Sequence, residues 1–363
     1  MMASEDDPGA GPQPDRPQSL ADLGEDALIR WIREGARSAD PRIIKGIGDD
    51  AAVVSADEKT VITTDLLIED VHFRMSTTPP RLLGRKALSV NLSDAAAMAA
   101  FPRFAFLGLA APKDFPAQVM EEIMEGFIQR AREAGVALAG GDVCRSDKLV
   151  MAVTLIGGAS PPGPVYRSGA RPGDLVFITG LVGDSALGLK RIEEFELPVT
   201  EEAINQDPLR GPILAHLDPP ARVEAGLEFA GIATAMMDLS DGIMTDLPRL
   251  LLESGGRGAV IETARLPLSE AFREHFKVGS APAGEALRTA VWGGEDYELL
   301  LTASPEAEDR LSRIGSDLGI GITRVGEVKE SPGLILLDES GREISSPDPL
   351  FEHFTKKQGE KGG

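Results

Sequence analysis

Carboxylates set inside apolar or glycine-rich segments constrain this chain more than any other feature of its sequence. Six segments carry them: GIGDDAAVV with Asp49 and Asp50, TTDLLIEDVHF with Asp65, Glu69 and Asp70, VNLSDAAAMAA with Asp94, AGGDV with Asp142, MMDLSDGIMTD with Asp238, Asp241 and Asp246, and WGGEDYELL with Glu295 and Asp296. A carboxylate among alanine, valine and methionine carries a large desolvation penalty unless a cation, a hydrogen-bond shell or a metal neutralises it. Cations are scarce beside most of these segments. Magnesium suits such a set, because it takes oxygen ligands, keeps waters and is commonly held between carboxylates and substrate phosphates. The pattern points to phosphoryl chemistry.

Each segment also has a structural reading. Asp49 and Asp50 can form a turn, and Asp65 can cap the next segment of the chain. Asp238, Ser240 and Asp241 resemble a helix N-cap with acids at the positive end of the dipole. Glu295 and Asp296 read as a loop able to hydrogen-bond a ligand, and His72 beside Phe73 reads more readily as structural than catalytic. Asp94 resists a structural reading, since its C-terminal neighbours are Ala95, Ala96, Ala97 and Met98.

Charge narrows the partners: 37 Lys plus Arg against 58 Asp plus Glu leave a formal net of −21, which argues against general nucleic-acid or anionic-membrane binding. No apolar run is long enough for a membrane-spanning helix. The acidic, Pro- and Gly-rich residues 1–18 read as a flexible tail rather than a targeting signal, so the expected setting is the cytoplasm. One cysteine, Cys144, and four scattered histidines offer neither an intrachain disulfide nor zinc-type spacing.

Along the chain, strands and helices alternate. Leu20, Leu23, Leu28, Ile29 and Ile32 recur at helical spacing. AAVV and TVITTDLLI read as a strand pair, PPRLLGRKALSVNLSDAAAMAA as a buried helix started by proline, FAFLGLAAP as a strand, and AQVMEEIMEGFIQRAREAG as an amphipathic helix ended by Gly135. VALAGGDV and KLVMAVTLIGG read as a further strand pair. The densest internal Pro and Gly run, Ala159 to Asp174, marks the boundary, giving a first domain at 19–160 and a second at 161–363. Beyond it strands DLVFITG, GAVIE and YELLLTA alternate with helices. The coarse class is α/β or α+β with two domains.

Common phosphate-binding signatures fail. No G-x-x-x-x-G-K-[ST] occurs, GIGDDA is followed by a strand-like AVV where a dinucleotide fold needs a helix, and no kinase set of glycine loop, H-R-D and D-F-G is present. Phosphoryl transfer on this chain needs another scaffold, with carboxylate-bound metals supplying the charge neutralisation.

Taken in order, GIGDDAAVV, TTD with VHF, KALSVNLSDAAAMAA, GGDV, RSGARPGD, TGLVGDSALGL, DLSDGIMTDL, GGEDYELL and FEHF resemble the thiamine-monophosphate kinase family, in the superfamily of aminoimidazole-ribotide and selenophosphate synthetases. The resemblance implies direct transfer of the ATP γ-phosphoryl group to thiamine monophosphate, the last step of thiamine diphosphate biosynthesis, with no phosphoenzyme and no assigned catalytic base. It implies that Asp50, Asp65, Asp94, Asp142 and Asp238 hold several magnesium ions, with Thr63, Thr64 and Asp241 adding contacts. ATP would meet Gly141, Asp142, Arg167 and Ser240, and thiamine monophosphate would meet His72, Glu295 and Phe351. The implied fold is a homodimer in which the small N-terminal sheets of two copies close into a barrel, each followed by a C-terminal α/β domain. Two positions depart from the family pattern: Phe351 stands where Tyr or Trp is usual, and NLSD-x-A-A-M-G-A ends here in Ala99 and Ala100, read as a packing change. The alternatives are a sister ATP-dependent synthetase, for which a selenide version would want an N-terminal cysteine, and a non-catalytic divalent-metal-binding protein, which would leave Arg167, Arg171 and the GGD and GGED runs unexplained.

Overall fold

The structure, a computed structural model, describes residues 19–23, 25–45, 47 and 53–347. The expectations for the tail, Asp49, Asp50, Phe351 and FEHF lie outside the described residues.

The expected helix near the start is split into Leu20–Leu23 and Glu25–Gly35, and the second piece buries Leu28 and Ile32. A short pair, β1 (Ile43–Lys45) and β2 (Val53–Val54), precedes a four-stranded sheet of β3 (Thr60–Ile68), β4 (Ala100–Ala111), β5 (Ala137–Arg145) and β6 (Val150–Ala159) in the order β3-β6-β4-β5. Both strand pairs expected from adjacency are corrected. Of the AAVV segment, the described Val53–Val54 pair with β1 rather than β3, and β5 pairs with β4 while β6 inserts between β3 and β4. Helix Ala117–Glu133 carries the chain from β4 to β5, so those two run parallel, and the apolar β6 takes the central position with ladder partners on both edges.

The Pro80–Ala97 helix crosses the inner face of this sheet and is buried on nearly every side, which fits its low charge and its alanines. Its crossing with Ala117–Glu133 requires two glycines: a Cβ at Gly84 would lie 1.8 Å from the Ile123 carbonyl oxygen, and one at Gly126 would lie 1.9 Å from that of Arg81. Leu83, Leu88, Leu92, Met120, Ile123, Phe127, Met151 and Val153 fill the core between helices and sheet.

The second domain is a seven-stranded sheet of β7 (Leu175–Thr179), β8 (Ala235–Asp238), β9 (Gly258–Glu262), β10 (Leu299–Ala303), β11 (Ile322–Lys329), β12 (Gly333–Leu337) and β13 (Glu343–Ile344), ordered β13-β12-β9-β11-β7-β10-β8. β8 is an edge strand, and its end faces the Pro80–Ala97 helix. Ala96 and Ala97 pack against Ala225 and Phe229 of the second domain, so one helix contributes to both cores. Ala99, just past it, has φ of 51°. The substitution read as packing therefore carries a backbone cost, because this left-handed conformation suits glycine.

Candidate active site

The Pro80–Ala97 helix presents charged and polar side chains toward both domains. Asp94 meets β3, where the Thr63 hydroxyl donates a hydrogen bond to its Oδ2. Asp65, two residues along β3 and on the same face as Thr63, lies close enough to Asp94 to feel its charge. Burial and then the Asp94 charge push the Asp65 carboxyl up to about 6. Ser93 Oγ donates to Asp238 Oδ2 at 2.7 Å, reaching the end of β8 in the second domain. Burial, then Asp94, push Asp238 up to about 7, opposed by Ser93 and by the more distant Arg167. Among the described residues no lysine or arginine forms an ion pair with Asp65, Asp94 or Asp238. Alternation along β3 and the approach of two domains thus bring three of the expected carboxylates to one junction.

The DLSDG and GGEDYELL segments, far apart in sequence, lie side by side. Leu239 N–H donates to the Glu298 carbonyl at 2.8 Å, Tyr297 N–H to the Leu239 carbonyl at 2.9 Å, and Glu295 N–H to the Ser240 carbonyl at 2.8 Å. A Cβ at Gly294 would lie 2.7 Å from the Ser240 oxygen, so the loop contact needs glycine there. The expected N-cap role of Asp238, Ser240 and Asp241 is corrected. Asp238 ends β8, and Gly242 precedes helix Ile243–Glu253 without a side-chain cap. Instead Asp246, in the first turn, accepts the Asp241 N–H at 2.8 Å, since its carboxylate sits where that backbone donor needs a partner. Asp241 itself is ion-paired with Arg249.

Glu295 extends the site. Its Oε1 lies 3.3 Å from Lys86 Nζ and its Oε2 3.2 Å from His216 Nδ1, which in turn is 3.1 Å from Ser185 Oγ. His72, whose Nδ1 accepts the Ile68 N–H at 3.1 Å, is near enough for its charge to act weakly on Glu295. Burial raises the Glu295 carboxyl, but Lys86, His216 and His72 outweigh it and the net shift is downward. Burial and then Lys86 hold His216 down at about 4, which leaves it neutral. Tyr297 links this cluster to the trio: burial and then the charges of Glu295, Asp238, Asp65 and Asp94 keep its phenol protonated.

Other expected residues stand apart. The Thr64 hydroxyl points to the opposite sheet face, donating to the Val153 carbonyl and meeting Thr154 Oγ1, both at 3.1 Å. Asp142 pairs with Gly108, which pairs with Ala152 opposite Leu66, so its side chain shares that outer face and does not join the trio. Gly141 is required locally, as a Cβ would lie 2.0 Å from the Leu107 oxygen. Arg167 is exposed, its charge felt at Asp238. Sequence reasoning missed Lys86, His216, Ser93 and Tyr297. A lysine in the uncharged run KALSVNLS, one turn before Ser89 and two before Ser93, was the available signal.

This two-domain α/β chain matches the AIR synthase related class. Its N-terminal domain model matches residues 48–159 and its C-terminal domain model residues 171–339. The thiamine-monophosphate kinase of Synechococcus elongatus is 34% identical over 93% of this chain and 98% of its own length. That of Escherichia coli K12 is 34% identical over 91% and 98%. Among solved structures, the thiamine-monophosphate kinase of Stenotrophomonas maltophilia K279a matches with a TM-score of 0.75 and 33% identity, covering 85% of this chain and 95% of that one. AaThiL complexed with AMPPCP and TMP matches with a TM-score of 0.67 and 31% identity over 90% and 96%. The chain belongs to the thiamine-monophosphate kinase family, and it is a kinase. No helix among the described residues is long and apolar enough to cross a membrane.

Proposed function

We propose that this kinase transfers the γ-phosphoryl group of ATP to the phosphate of thiamine monophosphate, yielding thiamine diphosphate and ADP, with magnesium bound by its carboxylates. The observation that carries the reading is the trio Asp65, Asp94 and Asp238, brought to the domain junction with Asp238 buried and the other two half-buried, and without an ion-paired lysine or arginine among the described residues. AaThiL, complexed with AMPPCP and TMP, supports the choice of ligands.

The donor set fits a hard divalent cation: three carboxylates and the Thr63 hydroxyl are oxygen donors, and the upward push of the Asp94 charge on the Asp65 carboxyl marks repulsion that a cation would relieve. Among the described residues no group of three or more His, Cys, Asp or Glu stands already arranged as a metal cage, so phosphate oxygens and waters would complete the shell. Bound magnesium would neutralise charge on the transferring phosphoryl group. The chain's part is positioning. Asp65, Asp94 and Asp238, with Thr63, would define where the phosphates converge, and Asp50, Thr64 and Asp241 remain candidate further contacts. Gly141, Asp142, Arg167 and Ser240 would meet ATP, and His72, Glu295 and Phe351 the acceptor. A phosphate oxygen of thiamine monophosphate attacks the γ-phosphorus in line, the β,γ-bridging oxygen leaves with ADP, and the attacking oxygen, already ionised, needs no protein base.

We further propose a homodimer, cytoplasmic in setting, and a domain division at 160/161. The division is supported by the end of β6 at Ala159 and the start of β7 at Leu175. The dimer is supported by the outer sheet face, where Ile62 is 63% and Leu66 53% exposed on either side of Thr64, apolar surface that a second copy's sheet would cover. Ile62→Asp should then shift the protein to monomer in sedimentation; an unchanged mass would remove this interface. Incubation with ATP, magnesium and thiamine monophosphate tests the activity. Thiamine diphosphate is the expected product, ATP turnover only with another acceptor would indicate a sister synthetase, and neither would leave a binding protein.

A further inference from the structure

Lys86 is among the largest fully buried side chains of the described residues and 2% exposed, yet it is a primary ammonium, and unlike its neighbour Arg85, which pairs with Glu133 and Asp218, it is followed by an uncharged stretch up to Asp94. Its charge is not spent on the fold in the way of the surface ion pairs, because its partner Glu295 belongs to the other domain and keeps about a third of its side chain open, at 30% exposed. Behind Glu295, Lys86 engages one oxygen and His216 the other. Glu295 also feels the charge of His72, and Tyr297, two residues on, feels both Glu295 and the trio, so the cluster borders the junction. Backbone strain adds to the picture: Glu295 has φ of 63° and Tyr297 φ of 50°, both left-handed conformations that non-glycine residues rarely adopt. Strain of this kind persists where surrounding contacts over-determine a conformation, and it clusters at functional sites. The Ser240 oxygen supplies one such contact through the Glu295 N–H, and Lys86 supplies the other at the side chain.

We propose that Lys86 is a positioning residue for the acceptor: by fixing the Glu295 carboxylate from behind, together with His216, it makes Glu295 a preset anionic contact for the cationic, amine-bearing ring end of thiamine monophosphate. The inference rests on the proposed acceptor and deepens it by assigning the anionic contact to the ring end of the molecule, whose thiazolium charge and amino group complement a carboxylate. The phosphate end is left to the trio. Lys86 touches neither ring nor phosphate; it acts through Glu295.

Steady-state kinetics on the full-length protein test this with Lys86→Met, Lys86→Arg, Glu295→Gln and the double variant Lys86→Met/Glu295→Gln. Lys86→Met should raise KM for thiamine monophosphate roughly tenfold or more, the size of one weakened charge-assisted hydrogen bond, and leave KM for ATP within about twofold. Glu295→Gln should do the same, the double variant should be no worse than Glu295→Gln alone, and Lys86→Arg should recover most of the loss. The pH profile supplies a readout that a purely structural role would not move. The groups facing Glu295 are Lys86, His216, His72 and Tyr297, and with Lys86 gone burial would raise its carboxyl. KM for thiamine monophosphate in Lys86→Met should therefore climb as the pH falls over a range where the wild type is flat. An unchanged KM in folded Lys86→Met, fold losses that multiply in the double variant, or equal rises in both KM values would overturn the proposal. A wild type that makes no thiamine diphosphate would instead remove the acceptor itself, and an inert Glu295→Gln would remove the Glu295 contact.

Discussion

The trio of Asp65, Asp94 and Asp238 and the cluster of Lys86, Glu295 and His216 are served by the same helix, and both are largely buried, yet their charges are arranged in opposite ways. In the trio, carboxylates face carboxylates, and burial together with the Asp94 charge pushes the carboxyls of Asp65 and Asp238 upward. In the cluster, a buried ammonium faces a carboxylate, and the neighbouring histidine is held neutral. On the proposed reading, the first arrangement is completed by a cation. The second is complete within the chain and offers a fixed negative charge.

Removing a charge should have opposite consequences in the two places, and the largest effect is expected at the trio. Asp94→Asn should lower ATP-dependent turnover by on the order of 100-fold or more while raising the melting temperature of the metal-free protein, since it removes a repulsive partner of both Asp65 and Asp238. Near-normal turnover at ordinary magnesium would break the comparison. At the other cluster, Glu295→Gln strands the Lys86 ammonium and should destabilise the protein by about 3 kcal/mol in denaturant unfolding, with no gain in the absence of metal. A stabilised Glu295→Gln would mean that the two clusters do not differ in kind.

A pH series sharpens the contrast. Asp65 at about 6 and Asp238 at about 7 both stand above the ordinary 3.8, so the folded metal-free protein binds these protons more tightly than the unfolded chain. Their stabilising contribution is fully present below about pH 4 and is lost as the pH rises through 6 and 7. The melting temperature of metal-free protein should thus fall between pH 5.5 and 8 by more than that of Asp94→Asn, and saturating magnesium at pH 8 should recover much of it. No magnesium effect at pH 8 would argue against cation binding by the trio. The smallest effect lies outside both clusters: Ala99→Gly, relieving φ of 51°, should stabilise by about 1 kcal/mol in thermal unfolding and leave both KM values unchanged.

Much of this was legible in the residues. The alternation of TVITTDLLI places Thr63 and Asp65 on one face, and the structure uses that face for the trio. Helices Pro80–Ala97 and Ala117–Glu133 fall where proline, apolar spacing and Gly135 put them. Asp94 stood out because of the alanines beside it. Strand partners were not legible, since adjacency suggested β5 with β6 whereas the parallel crossover through Ala117–Glu133 joins β4 to β5. Asp142 shows the same limit: GGDV marks it as unusual, but only the ladder registers put it on the face opposite Asp65.

The sequence by itself determined that isolated carboxylates would have to be neutralised and that the chain would form two α/β units, because desolvation cost and hydrophobic periodicity are local properties of the residues. Only the tertiary structure decided which carboxylates would repel one another and which would be paired. Lys86 reaches Glu295, and Ser93 reaches Asp238, across a domain boundary, and electrostatic partnership depends on distance and burial in space rather than on separation along the chain.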